Sequence, residues 1–414
     1  MLRTIKIKNY QWAMLANVAS AVAAWAMLLV LLRFGTERVV GEFSLLQAAL
    51  LPIHMLTTLK LRTVQCSDID SEYSVATYHA LRVASSSAGI IVSVLISLLM
   101  FEGFSMVLAG FVLALSYGIA NLRESMISVF QGDNKNYHFF LINIISNSGG
   151  ILVFSVIFFI ARELLPALFG YLLVKYMLYS FLEKKIYYRV YPRTNNLSPI
   201  KWCENGSQMV CLLKVSAPLG CTALVGALFT SFPRFSISSE LGLNDLAVFT
   251  ALMSLLVAYN IIVNSFVQSA LPDLSRSYSY DLRTFFKKVI LAIGGVTLLT
   301  LSALLIAWTT GGWILGLLFG PNYSNYGLEL IYVMLVGGAL SLFSICNLML
   351  SAQRNFILQL PVYIVVACSI FFGADYFVVT YGMAGAMLSQ GIGYLLGAGL
   401  CLGLFLMRIK NNVL

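Results

Sequence analysis

Twelve apolar runs of membrane-crossing length divide this chain. A helix takes about 20 residues to cross roughly 30 Å of hydrocarbon, and runs that meet this criterion begin near residues 11, 43, 79, 104, 139, 163, 211, 246, 286, 326, 355 and 380. Hydrocarbon offers no partner to an exposed backbone amide, so such runs must be helical. A composition of 59% hydrophobic and 10% charged residues over 414 positions agrees, because soluble domains carry far more charge. The expected fold is all-α and polytopic. The second run, FSLLQAALLPIHMLTTLKL, is the least regular since it holds Pro52 and His54, yet a proline is tolerated where neighbouring helices satisfy the freed carbonyl.

The distribution of charge orients the spans. With the N-terminus in the cytoplasm, 21 of the 26 Lys and Arg residues fall in inward-facing segments. Four face outward (Arg33, Arg38, Arg162, Arg234), and Lys175 lies inside the sixth span. This is a strong positive-inside signal, and omitting any one span destroys it. Both termini are therefore expected in the cytoplasm. A net charge of +9 dispersed over many short links gives no face or tail for a nucleic-acid partner. The scattered histidines and cysteines carry no metal-ligand spacing.

The longest link, EKKIYYRVYPRTNNLSPIKWCENGSQ, sits at the midpoint and separates two expected bundles of six spans, residues 1–182 and 211–414, joined by a basic cytoplasmic linker at 183–210. The halves share weak similarities in the same order. RF at 33–34 before GEFSLLQA parallels RF at 234–235 before AVFTALMS; SVFQ ending at Gln131 parallels LSAQ ending at Gln353; ILVFSVIFF at 151–159 parallels IVVACSIFF at 364–372. Six spans per half is an even number, so the repeats are parallel, an arrangement that encloses a central cavity between bundles.

Several segments resemble the polysaccharide repeat-unit flippases (Wzx-type, O-antigen or capsule) of the multidrug/oligosaccharidyl-lipid/polysaccharide exporter superfamily. They are LKVSAPLG…SFPRF (213–235), LGLNDLAVFTALMSL (241–255), QSALPDLSRSY (268–278) with FFKK (285–288), LFGPNYSNY (318–326), SAQRNF (351–356), YGMAGAMLSQ (381–390) and the polar link LKLRTVQCSDIDSEYSVATYHALR (59–82). The resemblance covers almost the whole chain. It implies a bacterial inner-membrane transporter that moves undecaprenyl-pyrophosphate-linked oligosaccharides from the cytoplasmic to the periplasmic leaflet by alternating access. Membrane lipids would surround it, and a polysaccharide polymerase and a chain-length regulator are the implied partners. No cofactor is implied beyond coupling to a proton or sodium gradient. A drug/cation antiporter of the same fold, and an integral-membrane polysaccharide polymerase or glycosyltransferase, are the alternatives. The first calls for buried carboxylates and the second for a large extracytoplasmic catalytic loop.

A cation in mid-membrane is costly and normally faces a cavity or a partner, which directs attention to Lys175. Tyr171 and Tyr179, four residues to either side, place phenol faces on the same stripe of an ideal helix, a surrounding suited to a sugar phosphate or to packing. Arg33 and Arg234 close outward-going spans, where a guanidinium can take a phosphate bidentately or reach the headgroups. Lys214 and Arg123 sit at cytoplasmic helix ends. Asn260, Asn264 and Gln268 form a polar stripe for sugar hydroxyls or neighbouring helices. Glu124, on one face with Tyr117, Asn121 and Ser128, is the candidate for proton or sodium coupling. Pro218, Pro233, Gly220 and Gly226 are expected to let the seventh span bend.

Overall fold

The computed structural model describes residues 9–68, 72–191, 202–353 and 358–413, with side chains undescribed at 9–10, 202–205, 264–273, 275–276, 279–280 and 409–413. The chain runs α1 (Asn9–Phe34), α2 (Glu37–Thr57), α3 (Leu61–Ser67), α4 (Val75–Met100), α5 (Phe104–Gly132), α6 (Asn136–Ala161) and α7 (Leu164–Met177). A π-helical turn (Leu178–Glu183) joins α7 to α8 (Lys184–Val190). Then come α9 (Trp202–Glu240), α10 (Leu243–Tyr280), α11 (Leu282–Phe319), a 3-10 turn (Pro321–Tyr326), α12 (Gly327–Ala352), α13 (Gln359–Tyr381) and α14 (Met383–Val413). No strand occurs among the described residues.

Among the described residues, twelve segments are long and apolar enough to cross a membrane, starting within six residues of the positions expected from hydropathy. Their outward faces carry side chains such as Leu99, Phe104, Ile160 and Leu291, all more than three-quarters exposed, which hydrocarbon alone can cover favourably. The chain is a multi-pass membrane protein. α2 passes through Pro52 without interruption. It ends where Leu59 and Lys60 take left-handed backbone angles, φ 48° and 46°, a conformation that cannot continue a helix. Ser74 caps α4 by accepting from the Thr77 amide at 3.1 Å, and Asp281 caps α11 by accepting from the Arg283 amide at 2.9 Å. The Thr284 hydroxyl holds the Asp281 carboxyl below its ordinary range.

The contacts divide the chain into two units: Met1–Gly35 with Ala49–Leu224, and Thr36–Ala48 with Val225–Leu414. The boundary expected in the midpoint link thus falls inside two helices, α2 and α9. The stretch read as a linker from 183 is helical to Val190 and again from Trp202, while 192–201 lie outside the described residues. In the first unit, α9 approaches the end of α2 at Gly220, where a Cβ would stand 3.0 Å from the Leu56 carbonyl oxygen. In the second, α2 meets α10 at Gly41, where a Cβ would fall 2.2 Å from the Leu243 carbonyl oxygen, and Ser44 bonds Thr250 at 2.5 Å. Small residues let membrane helices approach this closely. Gly41→Val should therefore lower the unfolding midpoint of the purified protein, at a cost of about 1–3 kcal/mol for overpacking; an unchanged midpoint would show that α2 can move aside. α9 itself is continuous over 39 residues, and the unit boundary at Leu224 lies between Gly220 and Gly226.

The internal repeat is visible in the packing. α4 packs on α5, α5 and α6 on α7, and α1 on α6 in the first unit; α11 packs on α12, and α12 and α13 on α14 in the second. Each unit has an apolar cleft in corresponding places. One of about 370 Å³ lies between α1 and α6 at Phe34, Ser155, Phe158 and Phe159. The other, of about 320 Å³, lies between α9 and α13 at Phe232, Cys368, Phe371 and Phe372. The α6 and α13 residues are those that the ILVFSVIFF and IVVACSIFF alignment places opposite one another.

Candidate functional site

Charged side chains are expensive to bury in a membrane unless they face a partner or a pathway. Among the described residues, those buried are Arg82, Arg123, Lys175 and Glu183, three cations to one carboxylate, and all four belong to the first unit. The C-terminal half of α5 organises them, because polar residues three and four apart there serve both of its flanks.

Towards α4, Asn121 and Ser128 receive Arg82. The guanidinium is fully buried and donates to the Asn121 Oδ1 at 3.3 Å and the Ser128 Oγ at 3.2 Å. Its Nε has no hydrogen-bond partner, and its bonded partners are neutral. Asn121 in turn donates to the Ser86 hydroxyl at 2.9 Å and the Thr57 carbonyl at 3.1 Å, so its amide is committed to positioning. At the end of this flank Arg62 meets Glu124 at 3.4 Å, donates to Gln131 at 2.9 Å and lies 4.6 Å above the Phe139 ring.

Towards α6 and α7, Arg123 Nε lies 2.9 and 2.8 Å from the two oxygens of Glu183, and another guanidinium nitrogen reaches Asn143 at 3.4 Å. Lys175 is buried rather than turned to lipid. It donates to the Asn147 Oδ1 at 2.6 Å and the Ser146 hydroxyl at 3.4 Å, and Asn147 also donates to Ser20 on α1 at 3.2 Å. Gly150 on α6 admits it: a Cβ there would stand 2.9 Å from the Tyr171 ring and 3.1 Å from the Lys175 Cε.

Of the expected aromatic stripe, Tyr171 faces Lys175, 5.4 Å from ring centroid to Nζ. Tyr179 instead receives Lys184 at 4.7 Å. The four-residue spacing fails because the chain leaves α geometry at Leu178 for the π turn. Arg123 is not a free cation at a helix end; it is held by Glu183. Glu124 forms an ion pair with Arg62 at 3.4 Å, and Tyr117 stacks on His54 at 4.5 Å. Arg33 is exposed in the last turn of α1, Lys214 is exposed on α9, and Arg234 is half-buried on α9. Asn260 is half-buried on α10, while the side chains of Asn264 and Gln268 lie outside the described residues.

Three members of the cluster, Arg82, Glu183 and Arg62, are absent from the candidates drawn from sequence. The polar link read at 59–82 takes in Arg82, and the sixth span is expected to end before 183, so both Arg82 and Glu183 are assigned to links. The structure starts α4 at Val75 and carries the sixth span to Val190. The extra turns bury both. A carboxylate four residues after Tyr179, next to a Lys-Lys pair, was the available signal.

No family model matches the chain. The capsular polysaccharide biosynthesis protein CapF of Staphylococcus aureus is 23% identical over 333 residues, 78% of this chain and 80% of that protein. Among solved structures, an inward-facing multidrug resistance MATE transporter of the MOP superfamily superimposes with a TM-score of 0.75 at 12% identity, covering 96% of this chain and 98% of that one. A MOP-superfamily transporter from Pyrococcus furiosus, described as having a binding pocket of reversed polarity, gives 0.66 at 14% identity, with 96% and 94% covered. An outward-facing MATE transporter gives 0.65 at 14%, with 98% and 97% covered. The chain has the fold of these MATE-type transporters along nearly its whole length.

Proposed function

We propose that this protein is a flippase for lipid-linked oligosaccharides, carrying undecaprenyl-pyrophosphate-linked repeat units from the inner to the outer leaflet of a bacterial cytoplasmic membrane. The observation that carries this reading is the three-to-one excess of buried cations over buried carboxylates among the described residues of the first unit. A polyprenyl tail can remain in hydrocarbon, but sugars and pyrophosphate need polar, positively charged surroundings to cross. Buried guanidinium and ammonium groups with neutral partners provide them, since Arg82 and Lys175 each lack a carboxylate in salt-bridge range among the described residues. The name of the CapF relative and the transporter fold support the same reading. A cationic drug would call for the opposite balance of charge, which disfavours the antiporter alternative. The step is translocation and breaks no covalent bond. Alternating access, coupling through Glu124 to a proton or sodium gradient, and a polymerase partner belong to the same proposal.

The deciding experiment reconstitutes purified protein in vesicles with a fluorescently labelled lipid-linked oligosaccharide and follows its appearance in the opposite leaflet with a membrane-impermeant quencher. Transfer well above protein-free vesicles is expected. Folded protein that leaves the labelled lipid in its original leaflet overturns the reading.

A further inference from the structure

Among the described residues Glu183 is the one buried carboxylate, set beside three buried cations, and its placement depends on an unusual piece of backbone. It closes the π-helical turn Leu178–Glu183, in which the Lys184 amide donates to the Tyr179 carbonyl five residues back. Such turns are rare, hold about one residue more than α geometry, and recur at functional sites. Rewinding this one into α-helix turns everything beyond it by about one residue, roughly 100°. That rotation is enough to carry the Glu183 carboxylate away from Arg123.

We propose that Glu183 is a resident counter-anion on Arg123 that the phosphate of the incoming lipid head group displaces, with the π turn as the hinge that withdraws it. This rests on the flippase reading and specifies how its anion site is kept closed.

The geometry of the pair favours exchange. Both carboxylate oxygens bond the same Arg123 nitrogen, Nε, at 2.9 and 2.8 Å. The strongest guanidinium pairs instead use two parallel N–H donors, an arrangement phosphate accepts as readily as carboxylate. The charge count also favours it. Lys175 lies close enough to Arg123 and Glu183 to feel both electrostatically, so one carboxylate stands against two cations. A pyrophosphate carries more than one negative charge and can answer both at once. Asn143 and Asn147, already bonded to Arg123 and Lys175, hold the two cations towards α6 while the anions change places. A pair that served stability alone would need neither the π turn nor the neighbouring lysine.

The test measures binding of undecaprenyl pyrophosphate to the purified full-length protein in lipid nanodiscs, with undecaprenol as the phosphate-free control. Glu183→Gln removes the competitor and should tighten binding at least tenfold, while Glu183→Asp, a shorter and weaker competitor, should fall between it and the unaltered protein. Arg123→Gln should lose the preference for pyrophosphate over undecaprenol. The double variant Arg123→Gln/Glu183→Gln should lose it too, although no buried charge is left unpaired. The proposal is overturned if folded Glu183→Gln binds no tighter than the unaltered protein. It is equally overturned if Glu183→Asp binds more weakly, or if the double variant retains full affinity. Should the unaltered protein itself bind undecaprenyl pyrophosphate no better than undecaprenol, the flippase reading falls first and this inference with it.

Discussion

Arg123→Met should destabilise the purified protein by about 3–5 kcal/mol, the typical loss when one partner of a buried ion pair is removed and the other is left unpaired. The pair it breaks has an Nε–O distance of 2.8 Å, with side chains only 8% and 2% exposed. Adding Glu183→Leu should recover most of that loss, because two apolar side chains of similar bulk remove both desolvation penalties together. Transport should not follow stability. Both the single and the double variant should lose lipid-linked oligosaccharide transfer, since neither offers the guanidinium to phosphate. Unfolding midpoints by circular dichroism and transfer rates in vesicles measure the two properties on the same preparations. If the double variant regained stability and transfer together, the pair would be structural, and Arg123 would leave the site.

Much of the fold can be read from the sequence because lipid imposes simple rules. Helices must satisfy their own amides and span a fixed thickness, so hydropathy and Lys/Arg placement locate all twelve spans to within a few residues of the helices. The weak repeat is legible for the same reason: Phe158 and Phe159, like Phe371 and Phe372, occupy matching places beside the first span of their half. The unit boundary is less accessible. It depends on where α2 and α9 exchange neighbours, and Gly41 and Gly220 mark those contacts only once the opposing carbonyls of Leu243 and Leu56 are known.

The site was half legible. Lys175 stands out because a cation inside an apolar run has few dull explanations, and it is indeed buried. Its partners do not stand out, since Asn147, Ser146 and Gly150 become relevant only when α6 lies against α7. Glu183 and Arg82 were concealed by a limit of hydropathy itself. A charged residue at a span's edge looks like the start of a link, whereas the helices continue past it with Tyr187 buried below Glu183 and Tyr78 beside Arg82. The π turn leaves no periodic signature in six residues, so the four-residue rule assigns Tyr179 to Lys175 although the ring receives Lys184.

Lys175 offers the sharpest separation of charge from shape. Lys175→Ala should slow leaflet transfer by about ten- to a hundredfold, the rate equivalent of losing a hydrogen bond to a charged group worth roughly 1.5–3 kcal/mol. Lys175→Arg keeps the cation and, despite a larger head against Gly150 and Tyr171, should retain most of the rate. Lys175→Met preserves the length of the stem and its packing on the Tyr171 ring, so it should behave as alanine does if charge is what matters. The unfolding midpoint should move the other way: Lys175→Met removes a buried cation whose partners, Asn147 and Ser146, are both neutral, and relief of that desolvation should leave the variant at least as stable as the original. A protein made more stable and less active by one substitution is the expected signature of a charge kept for its ligand. Equal transfer by the Ala, Met and Arg variants would mean that no phosphate meets this lysine.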